Sequence, residues 1–166
     1  LSLTSHKESH ADIAQHLYVS ENREREEALV RLIEAENPSK ALVFCRTKRW
    51  ADDICELLLK KKFRAKPIHG DMSQEARNAA MTSLKNGNTQ ILVATDVASR
   101  GLDINDLSHV FNFHIPDNRD RYTHRIGRTG RAGRKGIAIT IASPWELRDH
   151  YFFKQNKIAD FELKAF

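Results

Sequence analysis

Between Arg119 and Lys135 the sequence sets six arginines and one lysine against a single acid, Asp120. With His124 neutral these charges leave +6 here, while the whole chain carries +5. The basicity is therefore local, and local positive charge points to a phosphate-bearing partner. Gly127, Gly130, Gly133 and Gly136 recur every third residue, with Arg125, Arg128, Arg131 and Arg134 in step. Glycine this frequent breaks a helix and lets backbone approach a ligand closely. Arginine presents a planar fork matched to phosphate oxygens and stays charged at any working pH. A collagen-like repeat is excluded, because the run has no proline and only four periods. A loop that is merely solvated would use lysine as readily as arginine. The residue types point instead to a loop that handles phosphates, with expected bulk intolerance at Gly127 and Gly130 if both hold backbone angles that a Cβ forbids.

A fold must position these residues, and the rest of the chain supplies one. Its 166 residues, 40% of them hydrophobic, are enough for one domain with a real core. Charged residues make up 30%, and no apolar run approaches the ~18 residues of a membrane span. The N-terminus, Leu1-Ser-Leu-Thr-Ser-His6, lacks both a signal-peptide core and an initiator methionine, as expected of a piece of something longer. Cys45 and Cys55 form neither a metal motif nor a disulfide framework, and a reducing cytoplasm is the expected home. The eight histidines show no metal-ligand spacing.

Residues 1–12 read as a flexible linker and 13–166 as the folded domain. Ile13–Val19 alternates as a strand would, and 22–36 reads as a helix on the stripe Ala28, Leu29, Leu32 and Ile33. The Glu/Arg run within it is assigned to a solvated face. Ala41–Cys45 is continuously apolar, the mark of a parallel strand buried on both faces. Thr47 caps the next helix, with Ala51, Ile54, Cys55 and Leu58 inward. Residues 64–69 form a weaker strand, nearer an edge because of Pro67. Ser73 caps a helix to Asn86 with Ala76, Ala80 and Leu84 on one face and Gly87 past its end. Strands follow at 90–95, 109–113 and 136–141, with a short helix at 118–126 and a last one from Pro144 to about Lys157. Strand and helix alternate throughout, which predicts an α/β layered domain with a mainly parallel sheet and helices on both faces.

One geometric consequence follows. Arg46-Thr47, Gly70-Asp71 and Thr95-Asp96 each come directly after a strand. The carboxyl ends of parallel strands line one edge, where ligands bind, so these distant segments converge there. Thr47 and Ser73 also begin helices, whose free N–H groups and dipole favour phosphate.

Ala94-Thr-Asp-Val-Ala-Ser-Arg-Gly-Leu-Asp103 together with His124-Arg-Ile-Gly-Arg-Thr-Gly-Arg131 resembles the C-terminal RecA-like domain of a DEAD-box RNA helicase. Leu42–Thr47 resembles that family's motif IV, and His69–Arg77 its following Q-x-x-R element. The resemblance covers roughly residues 13–150. It implies that Arg128 and Arg131, in motif VI, are arginine fingers on the γ-phosphate of an ATP held mainly by another domain. Rigid cations there match the charge that phosphoryl transfer spreads over equatorial oxygens. Asp103 and Gly101, in motif V, are implied at the ATP ribose. By the same resemblance Arg100 bridges to the acidic motif of an N-terminal RecA-like domain, and His124 and Arg125 contact that domain or motif V. Read without the family, His124 is equally a histidine buried and hydrogen-bonded at a helix end. Thr47, Gly70, Arg77 and Thr95 match positions that hold the RNA sugar-phosphate backbone. Such groups read backbone and 2′-OH rather than base edges, so recognition without sequence preference is expected.

Two positions depart from the family pattern. Ser99 replaces a frequent alanine and is expected to be silent. Asn112-Phe-His114 stands where Asn-Tyr-Asp is common, so an acid has become a potential cation. The chain has no G-x-x-x-x-G-K-[ST] loop and no Asp-Glu-Ala-Asp, so it cannot alone cradle the phosphates or place Mg²⁺. The reading is half of an ATP-dependent RNA helicase, inactive as an isolated domain, with Mg²⁺ held by the missing half. The alternatives are the second motor domain of a DNA helicase and a non-catalytic RNA-binding module of the same fold.

Overall fold

The structure, a computed structural model, describes residues 12–130, 133–149 and 161–165. The expected linker therefore lies almost wholly outside the described residues, as do Arg131 and any continuation of the last helix beyond Asp149.

Seven strands form one sheet: β1 (Ile13–Val19), β2 (Ala41–Cys45), β3 (Ala65–Ile68), β4 (Ile91–Thr95), β5 (His109–Asn112), β6 (Gly136–Ala142) and β7 (Phe161–Ala165). Their order is β3-β4-β2-β5-β6-β1-β7, and every neighbouring pair is parallel. Helices α1 (Arg25–Glu36), α2 (Lys48–Lys60), α3 (Gln74–Lys85), α4 (Asp96–Ser99), α5 (Arg119–Ile126) and α6 (Pro144–Asp149) connect them. The apolar runs have a plain physical meaning. All five residues of β2 and of β4 are buried, because successive side chains enter opposite faces and both faces are covered. Val43, Cys45, Val93 and Ile139 meet Leu29, Ile33, Ile54 and Leu58 of α1 and α2 on one face. Leu42, Phe44, Leu92 and Ala94 meet Ala80 and Leu84 of α3 and Ala98 of α4 on the other. Further along that side, Tyr122 and Ile126 of α5 cover Ile13, Leu17 and Ala138. Each Val, Leu, Ile or Phe among them, fully buried, contributes about 1.5–3 kcal/mol.

β3, with Pro67, is an edge strand as expected. Ser73 caps α3 by accepting from the Ala76 N–H, and Gly87 follows its end at φ +86°. Ala76 itself is exposed, leaving Ala80 and Leu84 as the buried stripe. Cys45 and Cys55 are free and buried, and burial pushes their thiols up to about 12 and about 11.

The Glu/Arg run is not wholly solvated. Residues 22–24 form a 3-10 turn, and Arg25, the first residue of α1, is buried. Its guanidinium donates to the Phe113 carbonyl (2.6 Å), the Ile141 carbonyl (3.1 Å) and the Glu146 carboxylate. Arg25 therefore fastens α1 across the ends of β5 and β6 to α6.

Candidate functional site

The carboxyl edge of the sheet carries Thr47, Gly70, Thr95 and Arg125, while α5 runs back from that edge and leaves Thr129 and Gly130 beside the amino ends of β5, β1 and β6. Asn118 starts α5 by accepting from the Arg121 N–H (2.8 Å), and two turns of helix bring Arg125 inward. Arg125 is 3% exposed. Its Nε and Nη2 donate to the two oxygens of Asp96 at 2.8 and 2.7 Å. Nη1 donates to Asn112 Oδ1 (3.1 Å) and the His114 carbonyl (2.7 Å), and the guanidinium lies over the Phe44 ring. Of the two expectations for Arg125, these contacts match the one inside the domain, to the Thr95-Asp96 segment. Burial pushes the Asp96 carboxyl up, but the paired Arg125, helped by Arg121 at 3.5 Å, more than offsets it and holds the group below its ordinary value. His124, one residue earlier on α5, is exposed, so the buried-histidine reading is overturned: it lies on the helix face opposite the core.

The glycine period has different causes at different positions. Gly127 ends α5 at φ −65°, an ordinary helical angle, so the expectation of a forbidden angle there fails. Gly130 is at φ +68°, and a Cβ on it would lie 2.5 Å from Ile13 Cγ1. A Cβ on Gly136 would lie 2.4 Å from the Gly130 amide nitrogen, a backbone atom that cannot swing away. Gly130→Ala and Gly136→Ala are each expected to cost about 1–3 kcal/mol by strain or overpacking. A Cβ on Gly127 would lie 3.2 Å from the Thr123 carbonyl oxygen, tight but without a clash, so Gly127→Ala should stay within about 1 kcal/mol of neutral. Urea midpoints of the three variants check this ordering, and a Gly127→Ala loss as large as the others would show it wrong.

Thr129 nails the loop down. Its hydroxyl donates to the Leu107 carbonyl, and the Leu107 N–H donates to the Arg128 carbonyl (3.1 Å). The Arg128 side chain then turns back along the segment after α4. Nη1 donates to the carbonyls of Leu102 (2.9 Å) and Ile104 (3.2 Å), and Nη2 to that of Ser99 (3.1 Å). Gly101 takes φ +77° in this segment and has open space where a Cβ would be. Asp103 is exposed there and accepts from Asn105 Nδ2. The structure thus brings Arg128, Gly101 and Asp103 together, with exposed Arg100 at the end of α4.

The second group lines the ends of β2, β3 and β4, which are neighbours in the sheet. Thr47 caps α2 through the Trp50 N–H (3.1 Å) and is exposed. Thr95 caps α4 through the Ala98 N–H (3.4 Å). Lys48 Nζ reaches Asp71 at 2.9 Å, joining the turn after β2 to the turn after β3. His69 Nδ1 accepts from the Asp71 N–H (3.3 Å), so Nε2 carries the proton and donates to Asp52 (2.9 Å). Gly70 lies exposed between them, and a Cβ added to it would meet nothing within 4 Å. Arg77 is half-buried on α3, and its Nε has no hydrogen-bond partner.

His114 differs from expectation. It is buried, and its Nδ1 accepts from the Arg46 N–H at 2.9 Å. Burial first, then Arg46, Arg25 and Arg125, push its pKa down to about 3. The residue that replaces an acid is therefore neutral, not a cation: it supplies an acceptor without a charge. Because the folded value is depressed, the associated stability is complete above about pH 6.5 and is lost as the pH falls towards 3. At about pH 5 the loss should approach 2 kcal/mol at 1.36 kcal/mol per unit. Denaturant titrations at neutral and acid pH should show this slope, and His114→Asn should flatten it. An equal slope in that variant would acquit His114.

Sequence reasoning missed Arg25 and Glu146, and placed Asp96 at the strand-end edge without seeing its pairing with Arg125. For Glu146 a signal was present: Ser143-Pro-Trp-Glu146 is a capping box. Glu146 Oε1 accepts from the Ser143 N–H (2.8 Å) and Ser143 Oγ from the Glu146 N–H (3.3 Å), while Oε2 lies 3.5 Å from Arg46 Nη2. Among the described residues no helix is long and apolar enough to cross a membrane, and no cluster of three or more His, Cys, Asp or Glu could hold a metal.

Comparison with known proteins agrees with this geometry. The family described as helicase conserved C-terminal domain matches residues 24–133. The DEAD-box ATP-dependent RNA helicase RhpA of Helicobacter pylori (strain B128) is 46% identical over 158 residues, covering 95% of this chain and 32% of that protein. The DEAD-box ATP-dependent RNA helicase CshA of Bacillus subtilis (strain 168) is 44% identical over 136 residues, covering 82% and 28%. The chain thus spans about a third of the length of these relatives. A DEAD box protein from the hyperthermophile Methanococcus jannaschii superposes with TM-score 0.85 at 41% identity, covering 93% of this chain and 42% of that one. Escherichia coli DEAD-box protein SrmB, solved bound to regulator of ribonuclease activity A, gives TM-score 0.78 at 36% identity, covering 92% and 88%. The parallel sheet, the two motifs joined by Arg125 and Arg128 and these likenesses agree: the chain belongs to the helicase conserved C-terminal domain family, as the C-terminal RecA-like domain of the DEAD-box type.

Proposed function

We propose that this domain is the second half of an ATP-dependent RNA helicase and completes, from the segment between β4 and β5, a nucleotide site begun by an N-terminal RecA-like domain. The observation that carries the reading is the docking of Arg128 on the segment that also bears Gly101 and exposed Asp103. The cation and a carboxylate suited to a ribose hydroxyl thus belong to one braced segment, with open space at Gly101, and this supports the reading. ATP fits this donor set. When bound it supplies the phosphoryl group that is transferred, and Mg²⁺ belongs to the other domain's acidic motif. Arg128, with Arg131, stabilises charge on the transferring group, and Asp103 orients the ribose. Arg100 and His124, both exposed, face the partner domain, while Arg125 acts from within by holding Asp96.

A second role for Arg128 has its own support. Its three carbonyl partners mean that it also braces the 99–104 segment, so ATP must draw it off neutral acceptors onto charged ones, an exchange favoured by charge.

RNA is proposed to lie along Thr47, Gly70, Arg77 and Thr95, its phosphates at the starts of α2 and α4 and on Arg77. The open side of Gly70 and the exposed Thr47 support this. Two measurements test the whole reading. The purified 166-residue chain should show no RNA-stimulated ATP hydrolysis, and turnover surviving Arg128→Ala would overturn the half-enzyme assignment. RNA binding should be sequence-indifferent, with log affinity falling against log salt by about 0.7 per phosphate contacted. Arg77→Ala should remove about one contact from that slope for all sequences alike. A changed base preference instead would show Arg77 misassigned. The cytoplasm remains the proposed location.

A further inference from the structure

The turn that begins α2 is held from below by groups far away in sequence. Arg46 is the first residue past β2, and Thr47 follows as the helix cap. The Arg46 N–H donates to His114 Nδ1 (2.9 Å), and its guanidinium reaches Glu146 Oε2 (3.5 Å). His114 lies just past β5, whose ladder to β2 continues through the Phe113 N–H on the Phe44 carbonyl (2.9 Å). The ring cannot drift. Trp50 of α2 meets it edge-on with centroids 5.4 Å apart, and Phe113 at 4.8 Å. Around it stand Arg46 after β2, Arg25 on α1 and Arg125 on α5, the last paired with Asp96. Arg25 and Arg46 share Glu146 on α6.

We propose that His114 is a positioning residue for RNA: by accepting the Arg46 N–H it fixes the peptide leading into Thr47, and so aims the cap hydroxyl and the free N–H groups of α2 at an RNA phosphate. The inference rests on the proposed RNA reading of the strand-end edge and adds to it a residue that touches no RNA. Two features carry it. The bond is made to the one backbone N–H immediately before the cap, where a small rotation moves both Thr47 and the first turn of α2. The acceptor is a ring nitrogen 2.9 Å from that N–H, on a buried side chain held edge-on by Trp50 and Phe113. The bond is partly buried against His114, and an N–H left there without its acceptor would shift to find another.

The test compares Thr47→Ala, His114→Leu and His114→Asn in the full-length protein, with a single-stranded RNA of mixed sequence as the probe. Thr47→Ala is expected to weaken RNA binding several-fold. His114→Leu removes the lone pair and should raise the RNA Kd about tenfold, in line with loss of a hydrogen bond to a charged group. Its log–log salt slope should fall by about 0.7, one phosphate contact. The RNA concentration for half-maximal ATPase should rise in step, while kcat at saturating RNA stays near that of the parent. His114→Asn, whose Oδ1 takes the place of Nδ1, should restore both Kd and slope. That rescue is the decisive arm, because a generally loosened domain would lose kcat as well and would not recover with asparagine. If Thr47→Ala leaves RNA binding unchanged, the RNA reading of this edge fails and the inference with it. If Thr47→Ala weakens binding but His114→Leu does not, or His114→Asn is no better than His114→Leu, the RNA reading stands and the positioning role is wrong.

Discussion

Arg128→Lys in the full-length protein is expected to lower kcat for ATP hydrolysis about 10³- to 10⁵-fold, with much smaller effects on nucleotide and RNA affinity. An arginine finger is typically worth that factor, or roughly 4–7 kcal/mol at 1.36 kcal/mol per decade. The stabilisation belongs to the transition state, so it shows in kcat rather than in binding. Lysine keeps the charge but not the fork, and a single ammonium on a flexible stem cannot reproduce two parallel donors. Arg131→Ala should follow the same pattern. The bracing contacts to Ser99, Leu102 and Ile104 give a distinct signature. A side chain that only braced the Asp103 segment would, when replaced, weaken nucleotide binding and thermal stability while kcat at saturation survived. A merely basic loop would lose RNA affinity in proportion to charge, with lysine fully effective. Near-normal kcat in Arg128→Lys sinks the finger assignment.

Arg125→Met should destabilise the domain by about 3–5 kcal/mol, the usual cost of breaking a buried ion pair by removing one partner. Arg125 satisfies both oxygens of Asp96, the Asn112 amide oxygen and the His114 carbonyl, and methionine leaves all of them short of a donor. Arg121, 3.5 Å from Asp96, compensates only in part. In a chain of this length such a loss lowers Tm by roughly 10 °C. With Arg125 gone, burial becomes the larger influence on Asp96 and its pKa should rise above the ordinary carboxylate value, which reverses this group's contribution: the parent loses it on acidification, whereas the variant gains stability as the pH falls through the raised value. A loss under about 1 kcal/mol would mean that water serves Asp96 as well as Arg125 does.

The strands were the most readable part of this chain. Ala41–Cys45 and Ile91–Thr95 are apolar at nearly every position because helices cover both faces, the pattern expected of a doubly covered parallel strand. The family of the chain was readable too, from the residues of the arginine loop and of Ala94–Asp103. What stayed hidden depends on contacts between distant segments. Arg25 looks like its exposed neighbours in the Glu/Arg run until Phe113, Ile141 and Glu146, 88 to 121 residues away, are brought to it. His114 reads as a cation because its three arginine neighbours come from α1, α5 and the turn after β2. The equal spacing of Gly127 and Gly130 concealed a helical angle at one and a left-handed angle at the other. β7 follows an alternating Phe161-Glu-Leu-Lys-Ala165, too short a signal to stand out by itself.

The place of β1 in the sheet bears on how the domain is made. Ile13 pairs with Gly136 on one side and Gln15 with Phe161 on the other. The first of the seven strands to leave the ribosome therefore has no partner until more than a hundred further residues have been synthesised. At about 5–20 residues per second that wait is roughly 6–25 s. The ladder β3-β4-β2-β5 needs only residues 41–112 and can close in the meantime. Assembly is then inside-out: a four-stranded half forms first, and β1 is inserted late between two strands encoded well downstream. Until then Ile13 and Leu17, buried in the finished domain, are exposed on an unpaired strand, where nascent-chain chaperones have most to shield.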